Sequence, residues 1–104
     1  MIDVITNFTT YPNCRIEVGK YQMDGSIAIE LWNEEDGPIA TLTKCLVDKD
    51  LKQDEAYIDI NNCPWAMPLI EKYSLGKPTG RIGHSGYCTY PVVKFDMAEL
   101  EKHE

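Results

Sequence analysis

The chain is short of several things that the commoner chemistries require. Its 104 residues contain only two histidines, His84 and His103, and no two cysteines stand in a C-x-x-C arrangement. Cys14, Cys45, Cys63 and Cys88 follow one another at intervals of 31, 18 and 25 positions. That spacing supports neither a zinc ribbon nor a thioredoxin-type redox centre, and reduced, mostly buried thiols are expected. No apolar run approaches the roughly 20 residues of a membrane helix. Residues 1–10 have neither a basic start nor an apolar stretch, so no secretory signal is read and cytoplasmic residence is expected. Positive charge is scarce as well, with 10 Lys and Arg against 17 Asp and Glu and a formal charge of −7. Nucleic-acid binders need a basic footprint. Direct nucleic-acid binding is therefore disfavoured, although Trp32, Tyr57, Trp65, Tyr73, Tyr87 and Tyr90 offer rings on which bases could stack.

What charge there is lies unevenly. Residues 30–59 hold nine carboxylates (Glu30, Glu34, Glu35, Asp36, Asp48, Asp50, Asp54, Glu55 and Asp59) against Lys44, Lys49 and Lys52, a local balance of −6. Residues 60–95 run the other way, with Lys72, Lys77, Arg81 and Lys94 against Glu71, a balance of +3. An electrically two-sided molecule follows, and a field of one sign speeds encounter with surfaces of the other. With 43 % hydrophobic and 26 % charged residues the composition is that of a folded soluble domain. Its length suits one domain spanning residues 1–104, as a monomer or small homo-oligomer.

Periodicity predicts a three-stranded antiparallel meander in the first half. Residues 15–21 alternate Ile16 and Val18 with Arg15 and Glu17, and residues 27–32 place Ile27, Ile29 and Leu31 on one face. Between them Asp24-Gly25 is a strong hairpin signal. A second turn, Asn33 to Gly37, leads into a strand over residues 39–47. Residues 48–55 are polar enough for a surface loop, and residues 56–60 read as a fourth strand. A helix is expected over about residues 64–74, with Asn61 or Asn62 as N-cap, Pro64 in its first turn and Gly76 beyond its end. Pro68 restricts that helix, whose regular part then starts near Ala66. Four of the seven glycines fall in residues 76–86, which predicts a long loop. A last strand over residues 87–95 and a short C-terminal helix capped by Asp96 complete an α+β domain. Its expected form is a four- or five-stranded, mainly antiparallel sheet with one helix packed on one face.

No catalytic residue, metal site or cofactor is assigned from these patterns. The glycine-rich stretch matches no P-loop, because position 71 is Glu and Pro78 follows Lys77. His84 and Ser85 are adjacent, whereas a nucleophile and its base normally converge from separate elements. Asp48-x-Asp50 begins like a calcium loop, but Lys52, Gln53 and Asp59 occupy positions that the loop reserves for other residues. Trp32, on the polar face of its strand beside Glu30, Glu34 and Glu35, would suit contact with an Arg-rich surface.

Three runs carry a resemblance. Asp59-Ile60-Asn61-Asn62-Cys63-Pro64-Trp65-Ala66, Gly76-Lys77-Pro78-Thr79-Gly80-Arg81 and Ser85-Gly86-Tyr87-Cys88-Thr89-Tyr90-Pro91 resemble a small uncharacterised domain family carried by mobile elements of Gram-positive bacteria. Some members of this kind look like type II anti-CRISPR proteins, which inhibit Cas9. The resemblance implies a non-enzymatic inhibitor whose partner is a basic nucleic-acid-handling protein, Cas9 or its guide complex, whose channels are positively charged. The expected contact surface is Glu30, Trp32, Glu34, Glu35, Asp36, Asp48, Asp50, Asp54 and Glu55. The alternative is an accessory binding module whose 76–90 loop meets a peptide, RNA or anionic ligand through Lys77, Arg81, His84 and Tyr87.

Overall fold

After a first reversal at residues 6–9, where the Thr6 amide donates to the Thr9 carbonyl, the chain turns again at Asp24 and Gly25. Gly25 takes a positive φ of 73°, while the Asp24 carboxylate accepts hydrogen bonds from the Ser26 amide and hydroxyl at 2.9 and 2.7 Å. In the computed structural model, which describes residues 1–46 and 51–104, this turn joins strand β2 (Thr10–Lys20) to β3 (Ile27–Asn33). β3 buries Ile27, Ile29, Leu31 and Asn33 and leaves the residues between them half-buried, the expected alternation of a sheet with one face on the core. The Asn33 side chain closes the next turn by accepting from the Asp36 amide at 2.7 Å, and β4 (Gly37–Thr41) returns beside β3.

Strand β1 (Ile2–Ile5), not anticipated from the sequence, pairs with the first half of β2. It gives a four-stranded antiparallel sheet in the order β1-β2-β3-β4. The second sheet holds β5 (Thr43–Lys44), β6 (Glu55–Ile58), β8 (Cys88–Phe95) and β7 (Gly76–Ser85), again antiparallel and in that spatial order. Helices α1 (Ala66–Lys72) and α2 (Met97–Glu101) are short. With 51 % of the described residues in strands and 12 % in helices, the α+β domain with one sheet and one packed helix is corrected to a β-rich domain of two four-stranded sheets.

The physical reasons lie in particular residues. The expected strand over residues 39–47 divides at Leu42, which passes from one sheet to the other; Val47 lies outside the described residues. The expected loop over residues 76–86 is largely strand, because two of its glycines serve close approach rather than turning. A Cβ on Gly76 would lie 2.7 Å from the Lys94 carbonyl, and one on Gly83 would lie 2.4 Å from the Tyr57 ring. Only Gly80, in the bulge between Pro78 and Ile82, and Gly86, at the hairpin turn, have positive φ. The helix is shorter than residues 64–74. Neither Asn61 nor Asn62 caps it; its N-cap is Trp65, and Asn62 bonds instead to the Asp59 carboxylate. Pro68 falls in the first turn, where its missing N–H has no partner to lose. At the other end Ser74, not Gly76, takes the left-handed conformation at φ 53°. The Ser74 and Leu75 amides donate to the carbonyls of Glu71 and Ile70. Asp96 caps α2 as expected, accepting from the Glu99 amide at 3.1 Å.

The main core lies between the sheets and is closed by the helices. Ile2, Val4, Ile16, Ile29 and Leu31 of the first sheet and Ala56, Ile58, Val93 and Phe95 of the second join Leu69, Ile70 and Leu100 in one buried cluster. A smaller cluster of Leu46, Tyr57, Tyr90 and Val92 covers the opposite face of the second sheet. Gly83 floors this second cluster under the buried Tyr57 ring. Gly83→Ala, whose cost is steric because the backbone angle is ordinary, is expected to destabilise the domain by about 1–3 kcal/mol. An unchanged urea midpoint would contradict that packing.

Candidate functional site

The acids that cluster in sequence do not cluster in space. Residues 30–59 cross from one sheet to the other, so their carboxylates divide into two groups. On the first sheet Glu30 occupies the middle of β3 on the solvent side, while Glu34, Glu35 and Asp36 are exposed in the β3–β4 turn. Glu17 of β2 is the direct cross-strand partner of Glu30. Glu17 was not among the expected site residues; a two-residue turn at Asp24-Gly25 would set it against Trp32, whereas the observed register, with Lys20 opposite Ile27, sets it against Glu30. Two carboxylates directly opposite one another are mutually repulsive. Arg15 donates to Glu17 at 3.2 Å and to Glu34 at 3.0 Å, and no ion pair to Glu30 is formed among the described residues.

Trp32 is the first correction within the expected surface. It is half-buried, and the Arg15 guanidinium lies 3.7 Å from its ring centre, so the aromatic face is already covered by the chain's own cation. Asp36 is exposed, but its amide and carboxylate both bond to Asn33, giving it a structural task in the turn.

The second group belongs to the other sheet and is not an exposed acidic surface. Glu55 is only 5 % exposed. Its carboxylate accepts from the Arg81 guanidinium and, at 2.8 Å, from the Lys52 amide. One residue of each expected site is thus bonded to the other, Glu55 from the acidic set and Arg81 from the hairpin set. Asp54 is half-buried with a positive φ of 65°, and its carbonyl accepts from the Phe95 amide at 2.8 Å. Asp48 and Asp50, including the Asp48-x-Asp50 pattern, lie outside the described residues.

The alternative set is strung along the β7–β8 hairpin. Tyr87 is fully exposed at its tip, His84 is exposed opposite Thr89, and Lys77 is exposed near the base opposite Lys94. These side chains do not converge on one point. Among the described residues no three of His, Cys, Asp or Glu gather where a metal ion could be held, and no helix is long and apolar enough to cross a membrane. The four cysteines are free thiols, with Cys14 and Cys63 buried. Burial pushes the Cys63 thiol up to about 11 and raises Cys14 and Cys45, which lowers their thiolate fraction at neutral pH.

The family model for a domain of unknown function, DUF4313, matches residues 15–104. The chain belongs to the DUF4313 family. Neither a curated protein nor a solved structure matches it. The DUF4313 match takes in the acidic face from Arg15 onward, the Glu55–Arg81 pair and the whole β7–β8 hairpin, and it begins after β1.

The Glu55–Arg81 pair yields a prediction for the DUF4313 domain. The Arg81 hydrogen bond, reinforced by the Lys52 amide, holds the Glu55 carboxyl below the ordinary glutamate range. Because the folded value lies below the unfolded one, the stabilisation is complete above about pH 4.3 and disappears as pH falls through the folded value. Arg81 keeps 40 % of its side chain exposed, so solvent screens part of the interaction. Glu55→Gln is expected to cost about 1–3 kcal/mol at pH 7 and to flatten the acid side of the stability profile. Equal urea stability of the two proteins at pH 7 would refute this.

Proposed function

We propose that this domain is a non-enzymatic binding protein that inhibits a basic nucleic-acid-handling protein through the acidic outer face of its first sheet. The observation that carries the reading is the direct opposition of Glu17 and Glu30, with Glu34 and Glu35 exposed beside them. A cross-strand pair of like charges costs about 0.2–1 kcal/mol, and a basic partner would turn that cost into attraction. The partner class comes from the resemblance to anti-CRISPR proteins of mobile elements, and the specific proposal is Cas9 or its guide complex, acting at guide assembly or DNA binding. The contact set is now centred on Glu30 and Glu35, which form no ion pair among the described residues, with Glu17 and Glu34 beside them bridged by Arg15. Glu55 and Trp32 are committed within the fold, and Asp36 is reserved for the turn.

A second reading rests on the fully exposed Tyr87 at the hairpin tip, which suits contact with a peptide, RNA or anionic ligand. Arg81→Ala does not separate the two readings, since it breaks the pair with Glu55; Tyr87→Ala does, because its ring is fully exposed.

The test is DNA cleavage by Cas9 with the protein added before or after guide loading. Inhibition is expected, weakening as salt rises. The combined Glu30→Lys and Glu35→Lys variant, folded as judged by circular dichroism, is expected to lose about ten-fold or more in potency. Full potency in that variant would remove the acidic face from the reading, and inactivity of the unmutated protein against several Cas9 orthologues would remove Cas9.

A further inference from the structure

Where β1 meets α1, two hollows of about 210 and 470 Å³ share Trp65 as a common wall. The first lies between the outward side of β1, with Asp3 and Ile5, and the stripe of Trp65, Pro68 and Lys72 that runs from the N-cap along α1. Phe8 stands on the rim of the second, at the tip of the turn into β2. It is 95 % exposed, and Ile5 is 53 % exposed. The turn does not need the Phe8 ring. Thr6 closes it, with its hydroxyl accepting from the Phe8 and Thr9 amides at 3.2 and 3.1 Å and its own amide donating to the Thr9 carbonyl at 2.9 Å. Apolar residues exposed singly are ordinary, whereas Ile5, Phe8, Trp65 and Pro68 gather around joined hollows, as at a contact surface. Asp3 and Lys72 are both exposed on the first hollow, and neither forms an ion pair among the described residues. The Asp3 carboxylate accepts from the Asn13 amide at 3.2 Å, and the Lys72 ammonium lies 5.3 Å from the centre of the Tyr73 ring.

We propose that this surface docks a second copy of the chain about a two-fold axis, with Phe8 of each copy entering a hollow of the other and Asp3 meeting Lys72 of the partner subunit. A two-fold places one patch on both sides, so every contact is made twice with the roles exchanged. A patch can pair with itself in this way only if it carries its own complements. This one holds a protruding ring beside hollows, and one charge of each sign without an ion-pair partner. An unrelated partner would have to bring an apolar knob, a hollow for Phe8 and both charges together, whereas a second copy supplies them by symmetry. Strand addition along β1 is blocked at Asp3, whose amide donates to the Tyr73 hydroxyl at 2.9 Å. Recognition is accordingly by side chains. None of Glu17, Glu30, Glu34 and Glu35 lines either hollow, so this interface is independent of the acidic face.

The experiment is sedimentation equilibrium of the full chain from micromolar to millimolar concentration. The mass is expected to rise from that of the 11.8 kDa monomer toward twice that value. Phe8→Ser, folded as judged by circular dichroism, is expected to weaken association about 100-fold, because two rings per dimer lose their burial. Asp3→Lys and Lys72→Glu each set like charges against one another across the two-fold, and each alone is expected to weaken association about ten-fold. An equimolar mixture of those two variants restores both contacts between opposite charges and should recover the unmutated affinity. That recovery requires a second copy in this orientation. A monomer at every concentration, a dimer indifferent to Phe8→Ser, or a mixture that associates no more tightly than its components would each overturn the proposal.

Discussion

Everything in this fold passes through the crossing at Leu42. Its amide donates to the Ile29 carbonyl in the first sheet at 2.9 Å, and its carbonyl accepts from the Asp59 amide beside the second at 2.8 Å. The next residue repeats the link, since the Thr43 hydroxyl accepts from the Ile29 amide at 3.1 Å while Thr43 itself pairs with Ile58. Each sheet has an apolar face that must be covered, and neither has a long helix to cover it. The helices of seven and five residues are too short to be stable alone and depend on the core they close. A corner at which the strand changes sheets, with the Leu42 amide and carbonyl both bonded, lets the two apolar faces meet within a single small domain.

The corner also decides where charge appears. Because residues 30–59 run through it, a segment that is acidic on balance in sequence is delivered to two different surfaces. Its first part decorates the solvent side of β3 and the following turn. Its last part enters β6, where Glu55 closes the 52–55 turn and joins it to β7 through Arg81. That pair lies beside the small cluster of Leu46, Tyr57, Tyr90 and Val92, so the outer face of the second sheet is partly covered rather than open. The edge of β1 is closed in a similarly local way. The Tyr73 hydroxyl accepts from the Asp3 amide at 2.9 Å and lies 3.4 Å from the Asp3 carbonyl.

Local chemistry was legible in the sequence and long-range placement was not. The Asp24-Gly25 turn, the alternation of Ile27, Ile29 and Leu31, the late start of α1 imposed by Pro68 and the Asp96 cap are each set within a few residues, and each was read from the chain. The glycines of β7 misled because a glycine needed for φ and a glycine needed for close approach look the same in sequence; only the Tyr57 ring over Gly83 and the Lys94 carbonyl beside Gly76 tell them apart. Leu42 resembles any apolar strand residue, and its crossing is fixed by partners at Ile29 and Asp59. Of the candidate surface, the exposed Glu34 and Glu35 were recoverable from the turn. The burial of Glu55 and the stacking of Arg15 on Trp32 depend on strands that meet only in the fold. Glu17 was out of reach as well, since a two-residue turn at Asp24-Gly25 would set it against Trp32, and only the longer observed loop sets it against Glu30.

Two cross-strand pairs of like charge stand in the molecule, Glu17 with Glu30 on the first sheet and Lys77 with Lys94 on the second. Either could be relieved by one substitution without disturbing the core, because the solvent face of a strand accepts almost any polar residue. Core packing does not require them, nor do the turns or the caps. Their signs are opposite and they lie on different sheets, so neither can neutralise the other within one molecule. The two pairs differ in their surroundings: Glu17 has Arg15 as a counter-charge within the chain, so the first pair lacks one only at Glu30, whereas neither Lys77 nor Lys94 forms an ion pair among the described residues. Relief of the repulsion from within the chain is therefore partial on the first sheet and missing on the second, and it is at Glu30, Lys77 and Lys94 that an external counter-charge would gain most.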